Sequence, residues 1–263
     1  MAHPLRSSFW KSALAVRNPE PRQCPPGDGP RPQPSSLFEA ESPLEETEAI
    51  LFALARAVEQ RDQFTWGHCE RLALISVALG LAVGLDRPDL TTLYRGGYLH
   101  DIGKVGIPDS ILFKRGPLTS EEWVVMRTHS ARGEEICRHM KSLQPVLPII
   151  RHHHERWDGT GYPDGLRGEQ IPLLARMVQI ADVYDALTSR RSYKEALTDD
   201  QAVEILQQET LLGWHDPNLT ALFVKLHDDV IPRIARFSQR SDSGVDRKQT
   251  SLLNLNQFLA WQA

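Results

Sequence analysis

The sequence predicts an all-α protein, and three observations support that fold class. Apolar residues recur at helical spacing, as they do at Leu51, Leu54, Ala55 and Val58. The alternation of apolar and polar residues that marks strands is almost absent. Helix-start signatures, in which Ser or Thr precedes Glu by three residues, introduce two of the apolar stripes. We therefore expect successive helices that pack on one another around a core.

The helices can be assigned in order along the chain. A Ser N-cap followed by a proline begins the first helix at Pro43. Thr119 and Glu122 form a second capping signature further along. Gly103 is predicted to end the helix that Pro88 opens. The remaining apolar stripes predict helices around residues 72–82, 146–150, 174–181, 198–208 and 217–229.

The composition divides the chain into three parts. Nine of the 18 prolines precede residue 44, and residues 19–36 contain no aliphatic or aromatic side chain that would anchor a core. Residues 1–42 are therefore predicted to be a flexible, proline-rich arm. The folded domain is predicted to span residues 43–236. Residues 237–263 are predicted to be a polar C-terminal tail, with an apolar end at 252–261 that can dock as a short helix.

Charge, cysteine content and hydropathy exclude several classes of protein. The 30 basic and 34 acidic residues give a net charge of −4, too balanced for binding to a nucleic acid polymer or an anionic membrane through charge alone. The three cysteines are odd in number and form no Cys-x-x-Cys pair, which fits a reducing compartment. The longest apolar stretch has 14 residues, fewer than the roughly 20 that span a membrane. A cytoplasmic location is predicted.

Several titratable residues fall on the apolar faces of the predicted helices. His68 lies four residues before Leu72, and Asp182 lies four residues after Val178. His153 follows an apolar stripe in the same way. A single buried histidine is more often a hydrogen-bonded core residue than a metal ligand, so no one of these residues predicts a site alone.

Taken together, these residues indicate a metal site. The full set of five imidazoles and two carboxylates is His68, His100, Asp101, His129, His153, His154 and Asp182. Burying such groups unpaired costs about 1 to 3 kcal/mol each, and a divalent cation removes that cost. Seven ligands exceed the needs of one ion with open positions, so two ions bridged by a carboxylate are expected. The absence of thiolate suits iron or manganese at least as well as zinc.

Four short sequence motifs resemble those of a known family. They are HDIGK at 100–104, GIPD at 106–109, HHERWDGTGYP at 153–163 and IADVYDALTS at 180–189. In this order and spacing they resemble the HD-GYP subgroup of the HD phosphohydrolases, and the resemblance extends from about residue 45 to about 236. It implies an all-helical HD core with additional C-terminal helices. It also implies metal-dependent hydrolysis of the second messenger cyclic di-GMP.

The resemblance also implies a division of the ligands between two ions. One ion is predicted to take His68, His100, Asp101 and Asp182. The other is predicted to take Asp101, His129, His153 and His154, so that Asp101 is the bridge. Some members of the family hold a third ion through a glutamate four residues before the first histidine. That position is Phe64 here, which favours two ions.

Candidate substrate contacts surround this set. Lys104, one turn beyond Asp101, is predicted to stabilise charge on the phosphoryl oxygens, and Asp101 and Lys104 are the predicted catalytic residues. By resemblance, Arg191 and Lys194 match a second phosphate-binding cluster, although a basic run seen alone is usually a solvated surface. Tyr162 is a candidate for stacking on guanine, with ordinary packing as the alternative.

The expected reaction is attack by a hydroxide that two metals generate from bridging water, giving pGpG, GMP or both. Two alternatives stay open. One is an HD-type phosphohydrolase that acts on another nucleotide. The other is a module of low activity that binds a cyclic dinucleotide or docks a partner, which the departures at Phe64 and Arg190 keep open. By resemblance, the loop 161–163 is a candidate docking site for a diguanylate cyclase. Asp185 is expected to orient a ligand, and Trp66, Trp123, Trp157 and Trp214 are expected to pack.

Overall fold

The structure, a computed structural model, describes residues 43–61, 67–189, 196–243 and 252–262. Within these residues there are helices and no strand, so the predicted all-α fold class is confirmed. The α-helices are α1 (Pro43–Arg61), α2 (His68–Val83), α3 (Arg87–Leu99), α4 (Asp109–Leu112), α5 (Ser120–Met126), α6 (His129–Cys137), α7 (Leu147–His152), α8 (Leu173–Thr188), α9 (Asp199–Leu211), α10 (Pro217–Ser243) and α11 (Leu252–Gln262). Short 3₁₀ helices occupy Ile102–Gly106, Lys141–Val146 and Gly168–Gln170.

Helix α2 is the centre of the hydrophobic core. Its residues from His68 to Leu81 are almost all buried, and α1, α3, α8 and α10 pack around it. The contact with α3 is close because Gly97 has no side chain: a Cβ there would lie 2.5 Å from the Ala73 Cα. The helix is apolar all round because it is covered on every side.

The end of α3 differs from the prediction. The helix ends at Leu99, and the chain turns directly into the 3₁₀ helix Ile102–Gly106. The sequence analysis expected Gly103 to end α3. Gly103 instead lies inside the 3₁₀ helix. A glycine is required at this position because the chain approaches α6 closely: a Cβ on Gly103 would lie 1.9 Å from the His129 carbonyl oxygen. That contact fixes the distance between the chain around Asp101 and the start of α6.

The C-terminal helices are longer than the apolar pattern predicts. Helix α10 continues to Ser243, past the predicted end near residue 229 and past Pro232. Val230 and Ile234, one turn apart, are both buried and continue the apolar face. Helix α11 lies at the end of the described chain, where Leu255 and Phe258 are fully buried. Residues 1–42, the predicted arm, lie outside the described residues.

None of the helices in the described ranges combines the length and the apolar character that a membrane crossing needs.

Candidate metal centre

Helix ends bring the predicted ligands together. His68 and His129 are the first residues of α2 and α6, and His100 and His153 directly follow the last residues of α3 and α7. Asp182 alone lies in the interior of a helix, α8. At a helix end the chain direction changes, so two consecutive side chains can face the same space, which they cannot do in mid-helix. We call the seven predicted ligands the Asp101 cluster.

Six of the seven residues form two groups of candidate ligands that share one member. The first group is His68, His100 and Asp101, and the second is Asp101, His129, His153 and His154. In each group the donor atoms lie within 4.8 Å of one another. The structure therefore brings together the second predicted set in full and the first set without Asp182, with Asp101 in both.

The two carboxylate oxygens of Asp101 face different groups. Its Oδ2 lies 3.2 Å from the His100 Nε2. Its Oδ1 lies 3.3 Å from the His129 Nε2 and 3.9 Å from the His153 Nε2. A carboxylate that bridges two cations presents one oxygen to each, and this orientation matches that role.

Asp182 is placed less closely than predicted. Its Oδ1 lies 3.5 Å from the His68 Nε2, but the residue does not belong to either of the two compact groups. It adjoins the first group through His68 and is partly exposed.

The Nδ1 atoms of four buried histidines are bound to oxygen acceptors. The acceptors are the Asp185 carboxylate for His68 and the carbonyl oxygens of Gly97, Met126 and Ile150 for His100, His129 and His153, at 2.7 to 2.9 Å. An oxygen acceptor requires that Nδ1 carry the proton, which leaves the Nε2 lone pair free to bind a metal. All four Nε2 atoms belong to the Asp101 cluster.

The centre contains buried polar atoms without hydrogen-bond partners. Among the described residues, these atoms include the Nε2 atoms of His100, His129 and His153 and the Oδ1 of Asp101. Each such atom costs about 1 to 3 kcal/mol when it stays unsatisfied. The His129 and His153 atoms and the Asp101 Oδ1 lie in the second group, and the His100 atom lies in the first. Each group could accept a cation, and the donor chemistry of imidazole and carboxylate fits a first-row transition metal.

Burial keeps most of these imidazoles neutral. Burial, together with His154, lowers the pKa of His153 well below its usual value, and burial also lowers the pKa of His129. Burial and the neighbouring His129 lower the pKa of His154 to about 3. Burial opposes protonation of His100 as well, but the Asp101 carboxylate outweighs it and raises that pKa to about 9. A proton or a metal cation therefore satisfies the His100 Nε2, and the two compete.

Lys104 is paired with the shared carboxylate. Its Nζ lies 2.5 Å from the Asp101 Oδ2. Burial would raise the pKa of Asp101, but Lys104 and His100 hold it well below its usual value. Asp101 is therefore ionised, as a bridging ligand must be.

The family model for the HD domain matches residues 53–219. The chain belongs to the HD domain family. Among curated proteins, the chain is 40% identical to 3'3'-cGAMP-specific phosphodiesterase 2 of Vibrio cholerae, over 71% of this chain and 36% of that protein. It is 44% identical to the cyclic di-GMP phosphodiesterase response regulator RpfG of Xanthomonas campestris, over 65% of this chain and 45% of that protein. It is 38% identical to a cyclic di-GMP phosphodiesterase of Thermotoga maritima, over 69% and 50%.

The chain spans half or less of the length of each of these three relatives. Their similarity confirms the predicted resemblance to the HD-GYP group. Two solved structures share the fold. One is V-cGAP3, a cyclic GMP-AMP specific phosphodiesterase of V. cholerae, which matches with a TM-score of 0.56 and 20% sequence identity over 82% of this chain and 60% of that one. The other is Bd1817, an HDG"Y"P protein of Bdellovibrio bacteriovorus, which matches with a TM-score of 0.53 and 21% sequence identity over 70% of this chain and 64% of that one.

Tyr162 borders the candidate metal centre of this HD domain. Its ring centroid lies 4.9 Å from that of His154 and 6.3 Å from that of His129. The side chain is therefore next to the second group, where the sequence analysis placed a stacking residue. The other predicted substrate contacts, Arg191 and Lys194, lie outside the described residues.

The sequence analysis assigned no role to Glu155, which holds the loop that carries Tyr162. The buried Glu155 carboxylate accepts hydrogen bonds from the backbone N–H groups of Asp164, Gly165 and Leu166, at 2.7 to 3.1 Å. The loop also packs tightly on this stretch, because a Cβ on Gly161 would lie 2.2 Å from the Arg156 nitrogen. The sequence signal that could have identified Glu155 is its position, directly after two predicted ligands and before a glycine-rich loop.

Asp185 has the orienting role that the sequence predicts. Its Oδ2 lies 2.7 Å from the His68 Nδ1, and its Oδ1 accepts a hydrogen bond of 2.7 Å from the Arg71 Nε. Burial would raise the pKa of Asp185, but His68 and Arg71 lower it well below its usual value. The HD domain thus fixes the His68 ring through an ionised carboxylate that an arginine holds in turn.

The prediction that Trp123 packs is wrong. The residue is 45% exposed on the short helix α5. The Arg127 guanidinium lies 5.9 Å from the Trp123 ring centroid and 5.3 Å from that of Tyr162. Two other tryptophans expected to pack, Trp157 and Trp214, are partly buried beneath arginine side chains. Trp66 lies outside the described residues.

Proposed function

We propose that this HD domain is a metal-dependent phosphodiesterase that hydrolyses cyclic di-GMP to pGpG, GMP or both. One observation carries the proposal: two compact groups of donor atoms share Asp101, and the buried Nε2 atoms of His100, His129 and His153 have no hydrogen-bond partner among the described residues. Such an arrangement is costly without cations and suits two of them.

The proposed centre holds two divalent ions, iron or manganese. His68 and His100 would bind one ion, with Asp182 beside them, and His129, His153 and His154 would bind the other. Asp101 would bind both, since each of its oxygens faces one group. The donor set of imidazole and carboxylate without thiolate supports iron or manganese.

Two metal ions at such a centre supply a water of lowered pKa and a clamp on the phosphodiester. The chain's own residues fix the geometry around them. Asp185 and main-chain carbonyl oxygens hold the ligand rings in orientation. Lys104, which lies against Asp101, supplies positive charge where the phosphoryl oxygens gain negative charge in the transition state. Arg191 and Lys194 are proposed to add to that charge.

The proposal is tested by anaerobic purification followed by metal analysis and an assay on the same sample. We expect about two iron or manganese ions per chain, the number that a bridged two-metal site requires. Chromatography should show pGpG or GMP from cyclic di-GMP, and chelation should abolish the product until metal is restored. Hydrolysis that persists after complete metal removal would contradict the proposal. Less than one ion per chain together with tight nucleotide binding would favour the binding-module alternative.

A second candidate substrate is 3'3'-cGAMP. The observation that favours it is the 40% identity to a V. cholerae protein named as specific for that dinucleotide. Steady-state kinetics on a panel of cyclic di-GMP, 3'3'-cGAMP and cyclic di-AMP would rank the substrates by kcat/KM. A higher kcat/KM for 3'3'-cGAMP would replace cyclic di-GMP as the proposed substrate.

The docking of a diguanylate cyclase at the loop 161–163 and the cytoplasmic location both stay predictions. Co-purification of the intact chain with a defined cyclase, compared with a variant altered at Thr160, an exposed position beside the loop, would test the first.

A further inference from the structure

Three side chains form a stack on the exposed side of the metal centre. The Arg127 guanidinium lies between two aromatic rings, 5.9 Å from the centroid of Trp123 and 5.3 Å from that of Tyr162. Trp123 lies in α5, and Arg127 directly follows the last residue of that helix, one turn later. The helix therefore sets the spacing of the two side chains. We call these residues the Trp123–Arg127–Tyr162 stack.

The stack adjoins the candidate ligands directly. The Tyr162 ring lies 4.9 Å from the His154 ring, and Arg127 is two residues before His129, which begins α6. The stack therefore lies beside the place where a diester held at the metals would bind.

The Arg127 guanidinium has N–H donors that can bind a ligand. The residue is exposed, and none of the ion pairs formed among the described residues includes its guanidinium. Stacking on aromatic rings restrains the guanidinium plane but leaves the N–H groups at its edge available. An arginine that lies against two aromatic rings, and that forms no ion pair with the described residues, can bind an acceptor from outside the chain.

We propose that Arg127 recognises a guanine base of the cyclic dinucleotide, with Trp123 as the surface on which that base stacks. The inference rests on the proposed function, and it identifies a specificity residue for that reaction. Guanine presents its O6 and N7 as two adjacent acceptors, which match the paired N–H donors of one guanidinium. Adenine presents an amino group in place of O6, so it satisfies the pair less well.

A base contact is favoured over a phosphate contact for two reasons. Lys104 lies at the Asp101 carboxylate and already supplies positive charge where the reacting phosphate would bind. Trp123, by contrast, is a residue 45% exposed to solvent beside Arg127. Aromatic surfaces bind bases through stacking, whichever base is present, so the tryptophan would supply affinity and the arginine discrimination.

The test compares Arg127→Ala with wild type on cyclic di-GMP, 3'3'-cGAMP, cyclic di-AMP and bis(p-nitrophenyl) phosphate, a diester that has no base. We expect KM for cyclic di-GMP to rise, with a smaller change in kcat. The ratio of kcat/KM for cyclic di-GMP to that for cyclic di-AMP should fall by at least about fivefold, the low end for one bidentate base contact. Arg138→Ala, at an exposed arginine paired with Glu135, is the control and should keep the wild-type ratio.

Two further variants separate the roles within the stack. Arg127→Lys keeps the charge but loses the paired donors, so it should not restore the preference for guanine. Trp123→Ala should raise KM for all three dinucleotides alike, because stacking tolerates any base. The metal content of each variant should equal that of wild type.

Several results would overturn the inference. An equal rise of KM for cyclic di-GMP and cyclic di-AMP in Arg127→Ala would indicate a phosphate contact. A parallel loss with bis(p-nitrophenyl) phosphate, or a loss of metal, would indicate a structural role. A wild-type chain that cleaves bis(p-nitrophenyl) phosphate but none of the dinucleotides would instead overturn the proposed function, and with it the substrate that Arg127 is proposed to recognise.

Discussion

Two clusters of histidine and acidic side chains lie side by side at the end of α7, and only one has the properties of a metal centre. The Asp101 cluster contains the predicted ligands. The second, which we call the loop cluster, consists of His152, Glu155 and Asp164, and its donor atoms also lie within 4.8 Å of one another. By residue type and by distance alone, both clusters are candidates.

The clusters differ in how their lone pairs are used. In the loop cluster, Glu155 accepts three backbone N–H groups, and Asp164 accepts two hydrogen bonds from Arg151, at 2.7 and 2.8 Å. The His152 Nδ1 is buried without a hydrogen bond, but both of its acidic neighbours are engaged. In the Asp101 cluster, three Nε2 atoms and one carboxylate oxygen have no hydrogen-bond partner among the described residues. The number of buried donor atoms without a hydrogen bond in the described part of the chain, four in the Asp101 cluster against one in the loop cluster, therefore distinguishes the candidate metal centre from its neighbour better than proximity does.

The largest contrast is expected from Asp101→Ala, because this carboxylate faces both groups of ligands. Loss of the bridge should reduce the metal content by at least one ion per chain. Metal ions contribute several kcal/mol to transition-state stabilisation, and at about 1.4 kcal/mol per tenfold the rate should fall by about 1,000-fold or more. Metal analysis and the cyclic di-GMP assay measure both effects. A variant that keeps both its metals and its activity would remove the Asp101 cluster as the catalytic centre.

A smaller effect is expected from Asp185→Asn, which keeps the shape of the side chain but weakens its hold on the His68 ring. Partners that orient metal-bound histidines typically contribute about 10- to 100-fold to metal affinity or activity. We expect a loss in that range, measured as the metal concentration that restores half of the activity to metal-free protein. The exposed Asp200 on α9 offers a control, because Asp200→Asn removes one charge far along the chain from these ligands. Equal metal affinity in the two variants would contradict the orienting role.

The sequence predicted the Asp101 cluster well because its evidence is local. Histidines at helical spacing from apolar residues must face the core, and the motif order then indicated which of them meet. The resemblance to a known family supplied the division into two groups, which spacing alone does not determine. The structure brings six of the seven residues into two groups that share Asp101, and the assignment of one ion to each group stays a prediction.

The sequence predicted the surroundings less well because their causes are tertiary. Glu155 binds backbone N–H groups of residues 9 to 11 positions away, through a loop whose path the sequence does not specify. Gly103 resembles a helix terminator, but its role is a close approach to α6. Trp123 was expected to pack. It lies exposed on α5, a helix of seven residues with no buried residue at all.

The loop cluster should respond to substitution in stability rather than in metal content. Glu155→Gln exchanges one carboxylate oxygen for an amide group that donates, and so opposes a donor to a buried backbone N–H group. Leaving such a group unsatisfied costs about 1 to 3 kcal/mol, which corresponds to a fall in Tm of several degrees for a domain of about this size. Activity should fall through movement of the Tyr162 loop while the metal content stays at the wild-type value. A loss of bound metal in this variant would mean that the loop cluster also holds an ion.

The smallest effect is expected from Asp164→Asn, which matches an Asp101→Asn change in chemistry but is made in the other cluster. The Arg151 and Asp164 side chains are about one third exposed, at 30% and 35%. Partly exposed pairs of this kind contribute about 0.2 to 1 kcal/mol, so the change in Tm should be a few degrees at most. Metal content and kcat should equal those of wild type, whereas Asp101→Asn should lose both. If the two asparagine variants lost the same amount of metal, unused lone pairs would not be what distinguishes the clusters.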